Sequence, residues 1–366
     1  MLKLKKKLLA GLLGLALALC SCSESSFGGN ITSSSVADTT TSQTEQTTTT
    51  TAEQTTTSQT TTARTTQQTT TTTASPQPSQ NQPQGVPMWE CTDKNGNTIT
   101  LMGSMHAAKK DFYPLPDKIM NAYNAAEVVA FECDTEKVED EQTQLQMQNE
   151  MTYSDGTTLK DKLSPEAYQV LTDMLAELDS TPEMIANFKP WAAYETITTL
   201  WIMQSDISVT NGIDYYLMKQ TKTDGKQLFE LEDAQVQIDM LTKQPDKTYD
   251  ALFKAAKGAT KKDALDSLAN LYNAWLKGDI DYIEKEELGA TDDEYKQLGL
   301  TDEEVALIRA REKATTDDRN VNMVKGIKQL CSSGKKVFVV VGAAHYCGKN
   351  GIVSLLEKEG YTFKRI

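Results

Sequence analysis

In "KKVFVVVGAAHYCGKNG" an unbroken apolar run, Val337 to Val341, passes through Gly342 and reaches His345 three positions later. A strand that is apolar on both faces needs cover on both faces, as in a parallel sheet layered between helices. The device occurs twice. In "TITLMGSMH" apolar residues lead through Gly103 to His106. The chain has 366 residues and two histidines, and both stand in the pattern G-x-x-H.

Other segments agree with a layered sheet. Asn95-Gly96 between two strand-like runs marks a hairpin, Met88–Thr92 against Thr98–Met102. Ile119, Met120 and Tyr123 recur at helical spacing. "EVVAFECD" reads as a strand from Val128 to Cys133 that ends beside Glu132 and Asp134, and Glu136 to Met151 as a solvated helix. Ser164 before Pro165 caps the first of several middle helices, and "QLFEL" is a strand over Gln227–Leu231. Long helices then run to Gly334, and strand Lys336–Val341, a helix over 351–359 and a strand over 361–365 close the chain. The expected fold is α/β: a mostly parallel central sheet flanked by helices, with the helical middle as an insertion or cap.

The first 85 residues follow different rules. "MLKLKKKLLAGLLGLALAL" has a basic start and an apolar run, Leu8 to Leu19. It is shorter than the roughly 20 residues that span a bilayer, so it reads as an export signal. Leu19, Ser21 and Cys22 then match a bacterial lipoprotein signal over residues 1–22, with Cys22 as the lipidated residue. A lipid there would anchor the protein to a membrane without a spanning helix and place it outside the cytoplasm. Residues 23–85 are Thr, Ser and Gln with almost no apolar side chains, so they cannot offset their ordering entropy and read as a disordered stalk. Residues 86–366 form the one folded domain. The net charge of −14 argues against a nucleic-acid partner, which wants clustered Lys and Arg. Cys91, Cys133, Cys331 and Cys347 contain no C-x-x-C pair, which excludes a zinc ribbon or a thioredoxin-like site; an exported protein could oxidise them in any of three pairings, and small buried thiols are the preferred reading.

In open α/β sheets ligands gather at the carboxyl ends of the strands. His106, His345, Glu132, Asp134, Glu230 and Glu232 all fall at such ends. Gly103 and Gly342 would permit either positive φ or a close backbone approach where the strands turn. Two imidazoles with a carboxylate suit Zn²⁺, Mn²⁺, Co²⁺ or Fe²⁺. An ion so held acidifies a bound water and polarises a carbonyl, and a carboxylate off the metal can act as general base. The H-E-x-x-H helix and the G-x-S-x-G elbow are absent, and "GAAHYCGKNG" misses the phosphate-loop spacing.

"LMGSMH", "VVAFECD", "GIDYYLMKQTKTDGKQLFELEDAQVQ", "DDRNVNMVKGI" and "VVVGAAHYCGKNGIVSLLEKEGY" resemble the TraB/GumN family, to which the Tiki proteases are related. The resemblance runs from about Trp89 to Ile366. It implies a fold akin to erythromycin-esterase-like proteins and metal-dependent peptide hydrolysis. It makes His106 and His345 the motif histidines and Glu132 the motif glutamate, a metal ligand in preference to a base. Glu232 matches an acidic position that would serve as base or support. Arg319 and Asn320 match an Arg-Asn pair, with Arg319 stabilising developing negative charge or orienting a carboxylate. Trp191 in "KPWAAY" matches a motif too, and reads as a core aromatic. The expected cofactor is a divalent Mn, Co or Zn ion, and the expected partners are a peptide or peptide-like substrate and the membrane. A cell-surface metal-dependent peptidase competes with a lipid-anchored protein that sequesters a peptide without turnover, and with a metal-free hydrolase using a histidine base.

Overall fold

The structure, a computed structural model, describes residues 85–287 and 290–366. The expected signal segment with Cys22, and the expected stalk as far as residue 84, lie outside the described residues. Among the described residues there are eight strands: β1 Met88–Thr92, β2 Thr98–Ser104, β3 Ala108–Lys109, β4 Val128–Phe131, β5 Ile207–Ser208, β6 Gln227–Glu230, β7 Val337–Gly342 and β8 Thr362–Arg365. Six of them form one sheet in the order β6-β4-β7-β2-β1-β8, and β3 with β5 makes a short ribbon. β6, β4, β7 and β2 run parallel, and β1 runs antiparallel to both its neighbours. The carboxyl ends of β2, β4, β6 and β7 therefore lie along one edge.

The hairpin register pairs Met88 with Met102 and Thr92 with Thr98. Gly96 sits at φ +86°, and the Asp93 carboxylate accepts the amides of Asn95 and Asn97 at 2.8 and 2.9 Å. The strand period of two sorts the core. Val129, Phe131, Phe338 and Val340 join one buried cluster, against the Asp117–Ala125, Ile213–Thr223 and Lys261–Lys277 helices. Val128, Ala130, Val337, Val339 and Val341 join another, under the Asp318–Cys331 and Ile352–Lys358 helices. Each apolar strand is thus covered on both sides.

The helical middle is not a single cap. The Pro165–Ala176, Pro190–Ile202, Asp246–Ala255 and Asp302–Glu312 helices share a separate core, which includes Trp191. Between them the chain returns to the sheet to lay down the Ile213–Thr223 helix and β6. The strand expected over Val128–Cys133 stops at Phe131, and the helix expected to Met151 is split at Asp140. Short polar side chains set both boundaries: the carboxylates of Asp134 and Asp140 accept first-turn amides of the helices that follow them. All four described cysteines are buried, and none of them is in a disulfide. Among the described residues no helix is long and apolar enough to cross a membrane.

Candidate functional site

Glu132 follows the last residue of β4 and is buried between its neighbours. Its Oε1 accepts the Gly342 amide at 2.8 Å, which ties it to the end of β7. His106 Nε2 stands 3.6 Å from that same Oε1 and His345 Nε2 3.7 Å from it. The two G-x-x-H segments thus deliver both imidazoles to one carboxylate oxygen. Gly342 has φ −50°, so it is glycine for space, not for φ. A Cβ there would lie 2.9 Å from His106 Nε2 and 3.1 Å from Glu132 Oε1.

The far side of each ring is held. His106 Nδ1 lies 3.1 Å from Asp214 Oδ2, and Asp214 Oδ1 accepts from Ser104 Oγ at 2.5 Å. His345 Nδ1 lies 2.6 Å from Asn320 Oδ1. The Asn320 amide nitrogen donates to the Asn350 carbonyl at 3.0 Å, and a carbonyl can only accept. Asn320 Oδ1 therefore faces the ring, and His345 Nδ1 carries the proton. In a neutral ring this leaves Nε2 as a lone pair aimed at Glu132. Asp214, an acceptor only, sets the same tautomer in His106 when that ring is neutral.

Arg319 closes the site. Its Nη2 donates to Glu132 Oε2 at 2.6 Å, and its Nε donates to Glu232 Oε1 and Oε2 at 2.8 and 3.1 Å. Gln237 donates to Glu232 Oε1 at 3.2 Å and Glu132 Oε2 at 3.4 Å. Burial alone would raise the Glu132 carboxyl, but the charges of His345, Arg319 and His106, with the Gly342 amide, hold it well below the usual carboxylate range. The two rings diverge. Burial disfavours charge on His106, yet Asp214 and then Glu132 overcome it and raise the ring to about 9. Burial pushes His345 down to about 4, with Arg319 assisting against Glu132. Near neutral pH, then, Arg319 and His106 are the cations that keep Glu132 ionised.

His106, His345, Glu132, Glu232, Arg319 and Asn320 are accordingly brought together. Asp134 and Glu230, also expected at the strand ends, are not: Asp134 pairs with Lys222 at 2.8 Å and caps a helix, and Glu230 pairs with Lys137. Asp214, Ser104 and Gln237 were not foreseen. A rule that every working imidazole needs a partner on its other nitrogen would have called for an acceptor such as Asp214, without saying where to find it. "GAAHYCGKNG" folds as a short turn whose Gly348 amide donates to Glu284 at 3.0 Å, so that amide is bound within the protein.

When both rings are neutral, three acceptor atoms converge, His106 Nε2, His345 Nε2 and Glu132 Oε1, the last of which also accepts the Gly342 amide, and such a set fits a divalent cation by its chemistry. Among the described residues, no group of three or more His, Cys, Asp or Glu forms a ready-made metal cage. A solvent-open cleft leads to His106, Glu132, Asp214 and Gln237.

A six-stranded α/β sheet with a His-Glu-His constellation at its strand ends defines the class. The chain belongs to the TraB/PrgY/gumN family, whose model matches residues 87–365. It is similar to "Uncharacterized protein YbaP" of Escherichia coli (strain K12), 26% identical over 147 residues, which is 40% of this chain and 53% of that protein. The same figures hold for the Shigella flexneri protein of that name, so the chain spans about half the length of the curated relatives it matches. No solved structure matches it.

Proposed function

We propose that this protein is a metal-dependent hydrolase of peptides or peptide-like substrates, held outside the cytoplasm by a lipid on Cys22. The observation that carries the reading is the approach of His106 Nε2 and His345 Nε2 to one Glu132 oxygen, at 3.6 and 3.7 Å. His106, His345 and Glu132 would hold an ion such as Mn, Co or Zn, which supplies a Lewis acid and an acidified water. Asp214 and Asn320 fix the two rings and direct both Nε2 atoms inward. Arg319 holds Glu132 in one orientation and places positive charge beside a centre where an oxyanion would develop. Glu232 braces Arg319. With both its oxygens on that guanidinium, it fits support better than the role of base.

One observation favours the sequestering alternative. Glu132, Glu232 and Asp214 are all engaged already, which leaves none of these three carboxylates free to take a proton. Quenched-fluorescent peptide libraries separate the readings. Hydrolysis that needs a divalent ion and falls at least about 100-fold in both His106→Ala and His345→Ala supports the proposal. Hydrolysis that survives chelation favours a metal-free histidine base, and tight peptide binding without turnover favours sequestration.

A further inference from the structure

The cleft has two kinds of wall. His106, Glu132, Thr135, Asp214 and Gln237 line it with polar groups, whereas Phe131, Cys133, Val209, Tyr215 and Met218 line it with largely apolar surface. No lysine or arginine is among its described lining residues. Asp214 and Met218 sit four positions apart on the Ile213–Thr223 helix, so they share one face about one turn, roughly 5.4 Å, apart. The Met218 thioether is pinned, since Thr135 N and Oγ1 both donate to its sulfur at 3.4 and 3.3 Å. The helix that orients His106 therefore also carries two of the apolar lining residues, Tyr215 and Met218.

We infer that this wall is a specificity subsite for a bulky uncharged apolar side chain, such as Leu, Met or Phe, within two residues of the bond acted on. An extended peptide advances about 3.3 Å per residue, so a spacing of one helical turn is covered in fewer than two residues. Acidic side chains are disfavoured at the wall itself, where Phe131, Val209 and Met218 offer a carboxylate only apolar surface and no lysine or arginine lines the cleft. The inference rests on the proposed peptide site and supplies its substrate class.

The test uses end-capped peptides of one sequence with Leu, Phe, Ala or Asp at each of the two positions flanking the cleavable bond. The wild-type protein is expected to cleave the Leu and Phe peptides at least about tenfold faster, in kcat/KM, than the Ala peptide, and the Asp peptide slowest. Tyr215→Ala should cut the Leu-to-Ala ratio at least about fivefold, and Met218→Leu should keep it within about threefold. A second arm measures binding of the same fluorescein-labelled peptides to the chelated wild-type protein by anisotropy, with Leu expected at least about tenfold tighter than Asp. Cleavage without any preference overturns the subsite and leaves the hydrolase standing. Preferential binding without cleavage supports the subsite while the hydrolase reading fails. Neither cleavage nor preferential binding overturns both.

Discussion

His106 and His345 arrive by the same device, from neighbouring parallel strands, and meet the same Glu132 oxygen. Their other nitrogens meet different chemistry. A carboxylate, Asp214, backs His106 and favours the charged ring; an amide, Asn320, backs the more deeply buried His345 and leaves burial to win. The difference teaches that the residue behind the ring, not the motif that delivers it, sets the charge. Two histidines from one pattern end up at about 9 and about 4.

The largest effect is expected where both histidines share a residue. Arg319→Met leaves Glu132 and Glu232 buried without their cation and should cost about 3–5 kcal/mol in urea unfolding. It should also raise both rings, since Arg319 opposes charge on each. Next comes Asp214→Asn, which gives His106 the kind of partner His345 has. Its titration, followed by NMR in the metal-free protein, should fall by about two pH units; a ring still near 9 would break the comparison. Gly342→Ala should cost about 1–3 kcal/mol by overpacking. Its methyl would press on His106 Nε2, while His345 is not among the nearest atoms it would meet, so the His106 signals should move further.

The gentlest perturbation is pH itself, acting on stability without metal. An unfolded histidine titrates near 6.5. His106 is raised in the folded state, so its contribution is complete below about 6.5 and is lost as pH rises through about 9. His345 is lowered, so its contribution is complete above about 6.5 and is lost as pH falls through about 4. Thermal stability should therefore fall on both sides of about pH 6.5, at up to about 1.4 kcal/mol per pH unit for each group. His106→Gln should remove the alkaline limb alone.

Much of the sheet was legible because apolar runs such as Val337–Val341 allow few alternatives to a strand covered on both faces. The Asn95-Gly96 turn carried its own register. His106, Glu132 and His345 were legible because each stands within three residues of a strand end. Arg319 and Asn320 were found only through the family resemblance, since a helix residue reaching a sheet edge leaves no local trace. Asp214 was missed for the same reason: in "GIDYY" it looks like an ordinary acidic residue in a helix's first turn. Asp134 was placed wrongly because the end of β4 was set two residues late, whereas Glu230 does close β6 but is taken up by Lys137. One residue past the true end, the chain turns and the alternation that assigns faces no longer holds.

With only two histidines, the central claim has a clean spectroscopic readout. Zn²⁺ is titrated into ¹⁵N-labelled protein and all four imidazole nitrogens are followed. The account expects both Nε2 resonances to move together and saturate at one equivalent, while both Nδ1 remain protonated against Asp214 and Asn320. Movement of one ring alone, or of neither, would contradict a centre shared by His106, Glu132 and His345.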